Sequence, residues 1–496
     1  MLKVVFSALV LAVFLAPMRV GSQAPVPPHV DAETVDTFVA SRLRHAGIPG
    51  ASVAVTYGDK ILYLRGFGRD TNGAAVTEDT PFYLASLSKA FTAFALLQLA
   101  ETGRIDLDRP VQTYLPEFQL ADPRGSLITP RHLVTHRSGL TDHLNPEWGW
   151  PQPRSLQEAV KRLRNIKLAT DPGTRISYHN PNYYVAARLV EVVSQQSFAD
   201  YLAEHIFRPL NMNASRTVGW MDESHDGAAH GTIFAFGNAI AVPGVDFFIE
   251  GAGGVISTAR DLAAWMALHA NGGVGLGGIR LLSEEQIRQI QSPPSDGALY
   301  DYRFGWSLTP RRSPPLSHDG GLMTYSAHIG LEPNGGLGVL VLTNASPPNA
   351  TWTEAPRGIA DGIRAIVKGE EPVASGRRNG LWFDYSISSV AFLAVLVAVR
   401  KCGRTRNWVE RYRRAPAWKS VLNLGKYALV IAAIVFGIPS IFALVESWSW
   451  VWMAYYSPVG VASLALIVLS SGAILSARLF ASIRTARTAG KPSVDT

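Results

Sequence analysis

Tyr83-Leu84-Ala85-Ser86-Leu87-Ser88-Lys89 is the stretch on which the reading of this chain turns. It leads into a mostly apolar run from Ala90 to Ala100, closed by Gly103. The run reads as a buried helix over 87–101, with Gly103 suited to its C-terminal end. Residues three apart share a helix face, so the Lys89 amine can reach the Ser86 hydroxyl. A serine hydroxyl is a weak nucleophile until a neighbour takes its proton. A lysine does this once burial disfavours its charged form. The helix N-terminus favours the negative charge that develops during attack. The plain alternative is a polar helix start with a solvated lysine, which the apolar run opposes.

Two further constellations lie downstream. In Tyr178-His179-Asn180, a tyrosine sharing a proton with a lysine can relay protons to a leaving group, and an asparagine can orient substrate. Equally, Tyr178 can pack in the core while Asn180 caps a helix over 181–195 with Pro181 in its first turn. In His318-Asp319-Gly320-Gly321, glycines allow close approach to a strand, and a backbone N–H can join that of Ser86 in an oxyanion hole. Read alone, His318 is an ordinary loop histidine.

Around these motifs strands and helices alternate. Residues 51–57 and 61–66 flank Gly58-Asp59-Lys60 as one hairpin, and 324–332 and 337–342 flank Asn334-Gly335-Gly336 as another. Strands first, helices in the middle and strands last predict one sheet assembled from both ends of the domain.

The order of the three motifs resembles the serine β-lactamase and penicillin-binding superfamily, especially class C β-lactamases, DD-peptidases and related esterases. Two further stretches are similar to that family: 128–140, with His132 and His136, and 253–262. The resemblance covers residues 30–365. It implies an α/β (α+β) fold of the β-lactamase/transpeptidase type, a mainly antiparallel sheet beside a helical subdomain, with the site between them. It implies an acyl-enzyme on Ser86, with Lys89 and Tyr178 sharing the acid–base work. Asn180 and His318 would position groups, and the N–H groups of Ser86 and Gly321 would form the oxyanion hole. Asp319 and Gly320 complete the substrate-binding segment. Many β-lactamases carry lysine where this chain has His318, so hydrolysis is implied more firmly than β-lactam turnover. An ionised Asp319 near a substrate carboxylate would be a like-charge contact, unless the pleat turns it away. Neutral esters or amides, or amine-bearing substrates, are then expected.

The rest of the chain places this domain. Of 496 residues, 47% are hydrophobic and 17% charged, too apolar for an ordinary soluble protein. Residues 1–24 read as an export signal, with Lys3 ahead of an apolar stretch. Residues 366–380 read as a linker, and 381–496 as a membrane region with spans near 382–399, 427–445 and 455–477. The net charge is +7, and much of it gathers between 400 and 426, where Arg400, Lys401, Arg404, Arg406, Arg411, Arg413, Arg414, Lys419 and Lys426 face only Glu410. That placement predicts a cytoplasmic loop beside a membrane and not a nucleic-acid surface. The loop at 446–454 carries Trp448, Trp450 and Trp452 and belongs outside, as does the domain before the first span.

Cys402 is the lone cysteine, so no intrachain disulfide forms. His132 and His136 are four apart, a spacing zinc can use. The sequence offers no third ligand, so no metal and no cofactor is expected. Asn213, Asn344 and Asn349 begin glycosylation sequons. The expected partners are a small ester, amide or peptide substrate and the lipid bilayer. The rival reading is a membrane-tethered sensor that acylates, or only binds, and signals through its spans.

Overall fold

The computed structural model describes residues 27–489, apart from 143, 145–150, 222–226, 243, 245, 293–297, 311, 334–335, 347–353, 373–379, 414, 439, 441–452 and 456. The expected export signal, the tryptophan loop from 446 to 452, the Asn349 sequon and much of the 366–380 linker fall outside the described residues.

Seven strands form the central sheet: β1 (Gly50–Tyr57), β2 (Lys60–Gly68), β3 (Asp301–Arg303), β4 (Trp306–Leu308), β5 (Leu316–Gly321), β6 (Ser326–Leu331) and β7 (Leu337–Thr343). Their order is β2-β1-β7-β6-β5-β4-β3, antiparallel throughout. β1 from the start of the domain pairs with β7 from its end, Val53 opposite Val341. The two ends therefore close one sheet, as the order of elements predicts.

The strands alternate between two cores because successive side chains point to opposite faces. Ala51, Val53 and Val55 join Leu337, Val339 and Val341 under helices α1 (Ala32–Ala46) and α5 (Glu354–Val367). Ala54, Leu340 and Leu342 face the larger core. That core holds α2 (Ser88–Glu101), α3 (Pro181–Ser194) and α4 (Ala259–Ala270). A helix buried on all sides needs no amphipathic stripe, and α2 is such a helix: Ser88 through Leu97 are all buried. Phe91 stacks on Trp265 of α4 at 4.2 Å between ring centres, and Phe94 meets the same ring edge-on at 5.0 Å. Truncating either phenylalanine would cost about 3–5 kcal/mol.

Beyond the sheet domain, the described residues hold three helices long and apolar enough to cross a membrane: Leu381–Gly403, Ala417–Gly437 and Pro458–Thr485. They fall within α6 (Gly380–Gly403), the run opened by α7 (Ala417–Ala432), and α8 (Pro458–Ala489). The apolar stretch expected at 427–445 begins as a helix at Ala417, so Lys419 and Lys426 belong to the helix and not to the loop before it. Trp418, Val421 and Leu422, all exposed, give that earlier segment its apolar surface. Part of the basic stretch is itself helical, Thr405–Arg413.

Candidate active site

The chain reaches Ser86 through a short strand, Phe82–Tyr83, paired with Val255–Ser257. Ala85 then adopts φ 51°, a left-handed conformation that costs a residue with a Cβ about 1–2 kcal/mol. The turn lifts Ser86 partly into solvent while Ala85, Leu87 and Ser88 stay buried. Gly320 on β5 lies against this turn, and a Cβ there would collide with the Leu84 carbonyl. The glycine of the third motif thus lets β5 press against the backbone that carries Ser86.

Lys89 is fully buried. Its Nζ donates to Ser86 Oγ at 3.1 Å and to the Ala252 carbonyl at 2.8 Å. Gly251, at φ 77°, packs against Tyr183 and Ala187 of α3, and its carbonyl accepts from Thr92 Oγ1 at 2.6 Å. Two consecutive carbonyls of one glycine-rich turn therefore anchor α2. Ser88 plays no such part: its Oγ accepts the Val255 N–H at 2.9 Å, tying α2 to the short sheet.

The second motif sits across the site. Lys89 Nζ lies 4.9 Å from the centre of the Tyr178 ring and 5.7 Å from that of Tyr183, within the range of a cation–π contact. Tyr178 is 42% exposed, so the lysine has a buried approach and the tyrosine an open one. His179 is buried, with Nδ1 2.5 Å from Asp142 Oδ1. Its backbone N–H donates to His136 Nδ1 at 3.2 Å. Asn180 begins α3 in helical conformation, and its side chain makes no capping bond.

His136 is a site residue whose role sequence reasoning missed. Its Nδ1 receives both the His179 N–H and Asn182 Nδ2, the latter at 3.1 Å. The Asn182 amide is oriented by Ser138, whose hydroxyl donates to its Oδ1 at 2.6 Å. A neutral His136 therefore carries its proton on Nε2. Burial holds this imidazole well below its usual pKa, with Lys89, His179 and His318 adding to the effect. Its ring lies against Tyr178 at 4.3 Å and Tyr302 at 4.6 Å. His132 is committed elsewhere, closing a capping box with Thr129, so the two histidines serve different ends of one short segment.

His318 faces the same core. Its Nδ1 donates to the Asp319 carbonyl at 2.7 Å, and its Nε2 accepts from Tyr302 OH at 2.9 Å. Burial keeps it neutral, its pKa well below the usual value, and Lys89 pushes the same way. Tyr302 was also missed; it lies in a three-residue strand with no motif around it. Burial raises its phenol pKa well above the usual value, and Tyr183 adds to this, so it remains a donor.

Asp319 is a correction. The pleat turns it to the opposite face of β5, toward α5, where it pairs with His328 at 2.7 Å and with Arg357. It neither faces Ser86 nor meets a substrate carboxylate there, so the like-charge argument does not hold. Gly321 lies opposite Ser326, one step from a pair bonded through the Leu322 N–H and the Tyr325 carbonyl at 2.9 Å. Bonded and non-bonded pairs alternate in an antiparallel ladder, so the Gly321 N–H points away from β6. On that side β4 pairs only with Leu316 and Ser317. Asn344, which begins one of the sequons, is buried, and its Oδ1 accepts the Gly50 N–H at 3.0 Å. It is part of the fold and not an accessible glycosylation site.

Comparison with known proteins bears on the family and the fold. Penicillin-binding protein 4 of Amycolatopsis lactamdurans is 28% identical over 346 residues, covering 66% of this chain and 88% of that one. Protein flp of Staphylococcus aureus is 24% identical over 316 residues, and this chain spans 63% of its length, as that match spans 63% of this chain. The octameric penicillin-binding protein homologue from Pyrococcus abyssi superposes with a TM-score of 0.57 at 24% identity, over 69% of this chain and 78% of that one. The model of the β-lactamase family matches residues 35–363, a stretch that includes Ser86, Lys89, Tyr178, Asn180 and His318, and the chain belongs to that family.

Proposed function

We propose that this chain is a membrane-anchored serine hydrolase that works through an acyl-enzyme on Ser86. Its substrate would be a small ester, amide or peptide. The observation that carries the reading is the 3.1 Å contact between the buried Lys89 Nζ and the Oγ of the partly exposed Ser86. In this reading neutral Lys89 takes the Ser86 proton as Oγ attacks the carbonyl carbon. The N–H groups of Ser86 and Gly321 bind the oxygen that becomes negative. The proton then passes through Lys89 and Tyr178 to the leaving group, and water repeats the cycle in reverse. Asn180 and His318 hold the groups around the reacting carbonyl. A neutral His318, with both ring nitrogens bonded inside the protein, offers no fixed cation to a substrate carboxylate, which favours neutral substrates. The three apolar helices serve as the anchor, with the catalytic domain outside the cytoplasm.

The experiment is a chase. The full chain is labelled with a fluorescent penicillin, or with a fluorophosphonate whose phosphorus is the electrophile, and a hydrolysable ester is followed in parallel. Turnover of the ester and decay of a penicilloyl label support a hydrolase. A penicilloyl label that persists, with no ester turnover, would favour the sensor.

A further inference from the structure

The 232–241 hairpin is separate from the main sheet, yet it connects the turn that follows the third motif to the first apolar helix. Its strands, Thr232–Ala235 and Asn238–Ala241, are joined by Phe236 and Gly237, both at positive φ. At this tip the Phe236 N–H donates to Asp384 Oδ2 at 2.9 Å, and the Phe236 ring lies 5.4 Å from that of Tyr385. Leu381 packs against Gly237. Asp384 and Tyr385 are the fourth and fifth residues of the candidate span that begins at Leu381. The third apolar helix, which begins at Pro458, also packs on Thr232–Ala235. The tip is thus level with the start of the first candidate span, where Trp382 and Tyr385 are exposed as aromatic residues are at membrane surfaces. Phe236 and Ile240 are themselves 38% and 44% exposed.

The other end of the hairpin lies beside the end of β5. The Thr232 N–H donates to the Asn344 carbonyl at 3.0 Å and to the Thr324 carbonyl at 3.3 Å, and Thr324 stands three residues beyond Gly321, where β5 ends. At about 3.3 Å per residue, Thr232 is roughly 13 Å from the tip. We infer that the 232–241 hairpin rests in the interface of the leaflet entered by the first span, and that it presents the Ser86 cleft to ester or amide bonds in the head group of lipid-anchored substrates. The occupant of this face is the bilayer that the chain's own helices cross, and the inference rests on the hydrolase and membrane-anchor readings.

The test uses the full chain with Cys402→Ser, reconstituted in phosphatidylcholine nanodiscs. A nitroxide is placed at Ile240→Cys, with Asp59→Cys as a reference, and its collisions with oxygen and with a water-soluble nickel chelate are compared. The Ile240 label is expected to favour oxygen over nickel relative to Asp59. In parallel, a fluorogenic ester tethered by a short ethylene glycol spacer to a dioleoyl lipid is compared with the same ester free in water. Ile240→Glu is expected to lower the tethered-to-free ratio of kcat/KM about tenfold while free-ester turnover is unchanged. An Ile240 label as wet as Asp59, or a ratio unmoved by Ile240→Glu, would overturn the inference. If Ser86 takes no acyl label at all, the hydrolase reading and the substrate half of the inference fall together, and the depth measurement separately decides where the hairpin sits.

Discussion

Lys89 meets Tyr178 through the face of the ring, Nζ 4.9 Å from its centre, while the same amine reaches Ser86 Oγ at 3.1 Å. One buried nitrogen therefore serves both the nucleophile and the residue open to solvent. The proposed mechanism, in which Lys89 and the Tyr178 hydroxyl share the acid–base work, predicts that the two act as one proton-transfer unit. Lys89→Ala and Tyr178→Phe should each cost about 10²–10⁴ in kcat, and the double variant little more than the worse single one. Losses that multiply would show that the two act separately.

His318 is neutral and closed on both ring nitrogens, which bears on substrate choice. Wild type is expected to prefer a neutral ester to a matched ester bearing a carboxylate. His318→Lys should shift that ratio toward the carboxylate by about tenfold or more, since a cation near a carboxylate is worth on the order of 1–4 kcal/mol at 4 Å. Asp319→Asn should leave the ratio alone and instead cost about 1–3 kcal/mol of stability, because it weakens the bonds to His328 and Arg357. A change of ratio in Asp319→Asn would restore it to the site.

Glu250 precedes the glycine-rich turn that receives Lys89, and burial, with Glu191 nearby, pushes its carboxyl pKa up to about 7. The folded state then holds this proton more tightly than the unfolded chain, whose ordinary value is 4.5. Stability from this group is present below 4.5 and declines as pH rises from 4.5 to 7, by an amount on the order of 3 kcal/mol. Glu250→Gln should flatten the denaturant midpoint across that range for the full chain in detergent. An unchanged slope would show that Glu250 ionises as it does in water.

Much of this was legible in the sequence for physical reasons. The sheet closed from both ends because the long strand-like runs lay at the two ends of the domain, while the strands between them are only two to four residues long. Ser86 and Lys89 could be paired because a helix fixes which residues share a face. Asp319 was misplaced because the face of a strand residue depends on register, which the motif does not carry. His136 and Tyr302 were missed because their roles arise from long-range contacts: one accepts an N–H from a residue 43 positions away, the other bonds across two strands. Asn180 stood in a capping position, but its helical backbone and the absence of a side-chain capping bond are tertiary outcomes. The second apolar helix was placed late because Lys419 and Lys426 interrupt an otherwise apolar run.

The orientation in the membrane gives a separate test. Cys402 closes the first span beside the basic stretch and is expected inside. A membrane-impermeant maleimide on intact cells should miss it and label it once the cells are permeabilised. In a Cys402→Ser background, a cysteine replacing Ser375 should label on intact cells. The reverse pattern would invert the topology.

The central claim is that Ser86 is the nucleophile, and peptide mass analysis after fluorophosphonate labelling tests it most directly. The adduct is expected on Ser86, lost in Ser86→Ala and retained in Ser88→Ala, where only the bond to the Val255 N–H is removed. An adduct on Ser88, or labelling that survives Ser86→Ala, would contradict it.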